Sequence, residues 1–221
     1  MTAPEFIELL KTKSNQTNRE GMARFGINTE HALGISVTEL RKLARGHKKQ
    51  HQLALDLWAS GIHEARILAS IVDNPTEVTT AQMEAWVKEF DSWDICDQVC
   101  GNLFAITPHA VEKVFEWTKR EEEFEKRAGF SLIAYLTHKK NNQPDSVFLS
   151  FLPVIKRESN DERNFVKKAI NWALREIGKH NSTLLKAAYK TAIEIEKLPS
   201  KSARWIAKDA IREFTLKYPD L

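Results

Sequence analysis

Cysteine is almost missing from this chain of 221 residues: only Cys96 and Cys100 occur, one helical turn apart. That count excludes a disulfide-built scaffold and makes a reducing, cytoplasmic setting the expectation. Glycine and proline are scarce as well, at 8 and 7 residues. A β-sandwich or barrel, which needs turn residues every ~8–12 positions, is thereby excluded. No apolar run approaches the ~20 residues of a membrane span, and the N-terminus lacks a signal-peptide pattern. Disorder is excluded from the other side, because 42% of the residues are hydrophobic against 29% charged.

The net charge is only +3, from 33 basic and 30 acidic residues, but it is unevenly spread. Residues 1–110 hold 11 Lys and Arg against 14 Asp and Glu, whereas residues 111–221 hold 22 against 16. The basic half points to a polyanion partner, although a solvated helical surface produces the same imbalance.

Apolar residues recur with the 3.6-residue period almost throughout, and no stretch alternates as a strand. Phe6, Leu9 and Leu10 open the first helix. Ser36-x-x-Glu39 and Thr79-x-x-Gln82 read as capping boxes, each opening a further helix. Helical segments follow at 50–59, 62–72, 93–106, 109–118, 121–137, 144–157, 161–178, 181–196 and 200–217. Pro153 is expected to kink or restart the helix around it. The stretch from Gly26 to Ile35 reads as the longest loop. Helix pairs recurring every ~35–40 residues predict an all-α solenoid, with a globular helical bundle as the competing architecture.

Three clusters could carry chemistry. In the run Arg163 to Glu176, Lys168, Trp172 and Arg175 share one helix face, and Arg163, Lys167 and Lys179 lie near it. A tryptophan flanked by cations suits a nucleic-acid surface, the cations taking phosphates and the ring contacting sugar or base. A core tryptophan with cationic stems lying along it would give the same pattern. Trp93 and Asp97 form the second cluster, four residues apart on one face, where a carboxylate beside a ring can stabilise a cationic sugar. Asp97 could equally pair with a lysine, and Asp94 reads as an acid placed at a helix N-terminus. Arg127 forms the third, as a phosphate clamp or a bridge to neighbouring acids. His63-Glu64-Ala65-Arg66 opens like a zinc-protease helix, but Ile67 stands where the second histidine belongs, so no metal site is expected there.

Taken together these segments resemble the AlkD-type family of HEAT-like DNA alkylation-repair glycosylases. The resemblance spans nearly all of residues 1–221, read as a single repeat domain, and is densest in Ser92 to Asp97, Lys126 to Tyr135 and Arg163 to Lys179. The last segment resembles the family signature Lys-Ala-Ile-x-Trp-Ala-Leu-Arg. It implies a right-handed α-solenoid of about six HEAT-like helix pairs with a basic concave groove for duplex DNA. It further implies hydrolytic excision of cationic purines such as N3-methyladenine and N7-methylguanine, by a monomer, without metal, cofactor, membrane or deep base flipping. Asp97, Trp93, Trp172 and Arg127 match the family's catalytic positions. Lys168, Arg175, Arg163, Lys167 and Lys179 would hold DNA, with Phe25 in place of a family tyrosine. Asn171 stands where the signature often has glycine. A binder of branched or damaged DNA on the same fold is the alternative, and a helical-repeat adaptor for protein partners is a more remote one.

Overall fold

The computed structural model describes residues 1–138 and 141–218, and every regular element among them is helical. The chain forms two compact units, Met1–Thr107 and a second from Pro108 onward.

The N-terminal unit contains α1 (Ala3–Thr12), α2 (Gln16–Arg24), α3 (Val37–Leu43), α4 (His51–Ala59), α5 (His63–Val72), α6 (Thr80–Val87) and α7 (Trp93–Asn102). Its centre is α5, against which α1, α3, α4 and α7 all pack. Every residue of α5 except Arg66 is buried, His63 and Glu64 included. Nearby, Trp58 of α4 stacks on Trp86 of α6 with ring centroids 3.9 Å apart, and Phe104 tilts against the stack.

The second unit contains α8 (Ala110–Trp117), α9 (Glu123–Leu136), α10 (Asp145–Glu158), α11 (Asn164–His180), α12 (Ser182–Glu196) and α13 (Lys201–Lys217). Alternate helices pack on one another: α9 on α11, α11 on α13, and α10 on α12. Consecutive helices pair across these two rows, as α8 with α9, α10 with α11 and α12 with α13. Such stacking buries faces that no single pair could bury alone, and it is the HEAT-like solution rather than a closed bundle. Polar links follow the same repeat. Trp58 donates to Glu89, 31 residues on, Arg175 to Asp209, 34 on, and Asn171 to the Ile206 carbonyl, 35 on. Asn171 thus replaces the signature's glycine with a buried tie between α11 and α13.

Four local expectations change. The helix expected over 93–106 ends at Asn102, and a short 3₁₀ turn covers Phe104–Ile106. Pro153 does not restart α10, which runs through it with Phe151, Leu152, Val154 and Ile155 buried on either side. Ser36 and Thr79 do cap their helices. The reciprocal halves of those boxes are engaged elsewhere, however: Glu39 with Lys13 and Lys42, Gln82 with Asp73. Finally, α2 has no counterpart in the sequence reading, because its nine residues present no apolar stripe and none is buried.

Two glycines respond oppositely to a methyl group. A Cβ on Gly178 would collide with the buried Phe214 ring, whereas one on Gly21 in α2 would meet nothing within 4 Å. Gly178→Ala should therefore cost about 1–3 kcal/mol through overpacking. Gly21→Ala should gain up to about 1 kcal/mol of helix propensity. Urea melts of the two variants test this, and equal stability would contradict the packing assigned to α11 and α13.

Candidate functional site

The geometry of the N-terminal unit starts from a buried carboxylate. Glu64 is fully buried and accepts three successive backbone N–H groups, from Leu33 at 2.8 Å, Gly34 at 2.7 Å and Ile35 at 3.1 Å. Gly34 makes this convergence possible with φ of +80°, and a Cβ there would strike the Asn15 carbonyl oxygen. Charge-assisted bonds of this kind are the means by which a buried carboxylate is tolerated. The loop so fixed then holds α2. The Asn15 amide donates to the Leu33 carbonyl (2.7 Å), Asn18 Nδ2 to Gly34 (3.0 Å), and Arg19 Nε to Thr29 (3.0 Å).

Between α2 with its loop and the N-terminal parts of α5 and α7 lies a cleft of about 650 Å³. Phe25 and Met22 line one side, and His63, Trp93, Asp94 and Gln98 the other. Phe25 is 71% exposed, and its carbonyl accepts the indole N–H of Trp93 at 3.0 Å, which ties α7 to the end of α2. Asp97 follows Trp93 by one turn and is half-buried. The acid that lines the cleft is Asp94. Its Oδ2 lies 2.8 Å from Nε2 of His63, while its Oδ1 is buried without a hydrogen-bond partner among the described residues. His63 is only 4% exposed. Burial works against its protonation, but the hydrogen bond to Asp94 and the charges of Asp94, Glu64 and Asp91 outweigh it, so its pKa rises above the ordinary imidazole value. The motif weighed for metal binding is thus committed differently, with Glu64 on backbone amides and His63 on Asp94.

In the second unit, Arg127 is buried, and Nη1 donates to the Phe165 carbonyl at 2.6 Å. Its position is that of a strut from α9 to the start of α11 rather than an exposed clamp. Trp172 is half-buried and stands edge-on to Tyr135, centroids 5.1 Å apart, so it is not a core residue.

The cationic cluster is narrower than its sequence suggests. Arg163 forks onto Asp161 (3.0 and 2.6 Å) and reaches the Glu121 carbonyl. Arg175 lies against Asp209 and Glu213 (3.0 and 2.7 Å), and Lys179 lies between Glu176 and Glu213. Burial opposes ionisation of Glu213, but Lys217, Arg175 and Lys179 hold its pKa below the ordinary value. Lys167 places its ammonium 5.6 Å from the ring of Trp205, which is 41% exposed. Lys168 is exposed and makes no ion pair among the described residues. Carboxylates thus pair with Arg163, Arg175 and Lys179.

Sequence reasoning passed over Asp94 as a bond partner and Trp205 altogether. The signal for the former was the repeat itself, since His63 and Asp94 are 31 residues apart, the same interval as Leu33 and Glu64. Trp205 carried no signal beyond its residue type.

Comparison with known proteins follows the same lines. A family model described as "DNA alkylation repair enzyme" matches residues 6–214. The uncharacterized protein Lin0241 of Listeria innocua is 26% identical over 168 residues, covering 75% of this chain and 73% of that protein. Lmo0209 of Listeria monocytogenes, also uncharacterized, is 24% identical over the same shares. A solved structure described as "a new family of proteins related to the HEAT-like repeat DNA glycosylases with affinity for branched DNA structures" superposes with a TM-score of 0.79. It is 18% identical, over 96% of this chain and 95% of its own, and shares the fold.

The His63–Asp94 pair has a pH signature. A raised folded pKa means its stabilisation is complete below the ordinary value of about 6.5 and is lost as pH rises through the folded value. The melting temperature of the protein should fall over that interval, and His63→Gln should remove that part of the fall. Identical pH profiles for the two proteins would contradict the assignment.

Proposed function

Because the chain belongs to the DNA alkylation repair enzyme family, we propose that it binds duplex DNA and hydrolyses the N-glycosidic bond of cationic alkylated purines such as N3-methyladenine and N7-methylguanine. Alkylation at these nitrogens makes the base a cationic leaving group that departs without a general acid. The enzyme's remaining tasks are to stabilise the developing oxocarbenium sugar and to orient water. A carboxylate beside a π face meets both.

The observation that carries the reading is the first turn of α7, where Trp93 and the half-buried Asp97 share a face and Trp93 is fixed by its bond to Phe25. For Trp172 the support is the family resemblance together with its half-exposed ring, and for Arg127 it is the family resemblance alone. Lys168 and the Lys167–Trp205 pair are the cationic and aromatic groups of the second unit best placed to meet a phosphate backbone.

The second reading is binding of branched DNA without excision. It is favoured by the structural neighbour, described as having affinity for branched DNA structures. Incubation with methylated duplex DNA and chromatography of the released bases separates the two. The expected result is free methylpurine and an abasic site, with Asp97→Asn slower by about 10²-fold and still folded. No release at high enzyme excess would leave the binding reading.

Duplex affinity should fall linearly on a log–log salt plot by about 0.9 per phosphate neutralised. Lys168→Ala should reduce the slope by roughly one. An unchanged slope would remove Lys168 from the DNA contact.

A further inference from the structure

We propose that the exposed face of α13 around Trp205 is a stacking platform for an unpaired stretch of DNA strand, with a base laid on the indole and the neighbouring phosphates taken by Lys201, Lys208 and Lys167. The inference rests on the DNA-binding part of the proposed function and not on base excision.

Three observations carry it. The first is the ring itself. Trp58, Trp86 and Trp117 are buried and Trp93 and Trp172 half-buried, whereas Trp205 leaves 41% of its surface open. An indole stabilises a fold through the apolar area it removes from water, so one left open adds less to the core and offers its surface to a partner. The second is its setting. Lys167 of α11 places its ammonium 5.6 Å from the ring, within the range of a cation–π contact. Along α13, Lys201 lies one turn before Trp205 and Lys208 one turn after it, so the three share a face with Arg204 beside them. The third is that these cations are not committed to acids. Lys201, Arg204 and Lys208 are exposed and make no ion pair among the described residues, in contrast to Arg175 and Lys179. Arg204 donates instead to the Pro199 carbonyl at 2.9 Å.

Two carboxylates lie close by, and both are engaged. Asp209 pairs with Arg175 and Arg212. Glu162 accepts from the Ser202 amide and the Ser200 hydroxyl. Those bonds, and then the charges of Lys167 and Lys201, hold its pKa below the ordinary value, so lysines from α11 and α13 gather around one acid.

Cations alone would suit the backbone of any nucleic acid, and the ring decides which strand fits. In an intact duplex each base is covered by its neighbours, so an indole on a helix surface has no base face to meet. An unpaired stretch has open base faces. Stacking on an aromatic ring between cations that follow the backbone is how single strands are held, with little preference among bases. Lys201 and Lys208 stand about 10 Å apart along the helix axis, which lets their side chains straddle one stacked nucleotide.

The test uses the full-length protein and three DNA probes of equal length: an oligothymidine strand, a strand made of abasic sites, and a perfect duplex. The two single strands carry the same phosphates and differ only in their bases. Calorimetry should show the thymidine strand bound about tenfold tighter than the abasic strand, the scale of one stacked base. Trp205→Ala should abolish that preference, and Trp205→Phe should keep most of it. Lys201→Ala and Lys208→Ala should each lower the slope of the single-strand log–log salt plot by about 0.7, the share of one phosphate. Equal affinity of the wild type for the two single strands, or a preference that survives Trp205→Ala, would overturn the platform while leaving duplex binding intact. Unchanged slopes in both lysine variants would overturn it as well. Binding of phosphatidylserine vesicles with neither single strand bound would make the face a membrane surface instead. Failure to bind any of the three probes would overturn the DNA reading and the platform with it.

Discussion

The carboxylate of Glu64 is the constraint on which the N-terminal unit depends. Burying an ionised carboxylate is costly unless its lone pairs are engaged, and here three consecutive amides of one loop engage them. The loop in turn is the main fixture for α2, a helix with no buried residue. Because α2 ends at Phe25, whose carbonyl receives the indole N–H of Trp93, the position of the candidate catalytic turn traces back to a charge on α5. Gly34 is required in the same chain of contacts, since no other residue combines its positive φ with such close approach to Asn15.

A different economy governs the second unit. Several of its basic residues pair with carboxylates one repeat away, as Arg175 does with Asp209 and Glu213. Exposed pairs of this kind add little stability. What they do is occupy Arg163, Arg175 and Lys179 on the helix that carries Trp172. Lys168 and the Lys167–Trp205 pair are what remains of the cationic face around Trp172.

Much of this was legible in the sequence. The helices of the second unit fall within three residues of their expected bounds, because each carries an apolar stripe and α10, α12 and α13 open on Pro144, Asn181 and Ser200. The turn Trp93–Asp97 was likewise visible from spacing alone. The rest was hidden because it depends on contacts a repeat apart. Nothing local marks Asp94 as the partner of His63, and helix-dipole reasoning accounts for an acid at that position without one. Glu64 read as half of a failed metal motif because its true ligands are backbone amides, which have no residue type. The helix α2 was lost because polar links rather than a buried face hold it, and periodicity detects only buried faces.

Amide hydrogen exchange at Leu33, Gly34 and Ile35, compared between the wild type and Glu64→Gln, tests the central dependence most directly. A glutamine keeps the shape but offers one acceptor and a donor where two acceptors stood. The expected result is strong protection of all three amides in the wild type. In the variant that protection should be lost, together with a shift in Trp93 fluorescence as α2 and Phe25 come loose, while the helices of the second unit stay protected. Unchanged protection of the three amides, or loss of protection with an unperturbed Trp93, would contradict it.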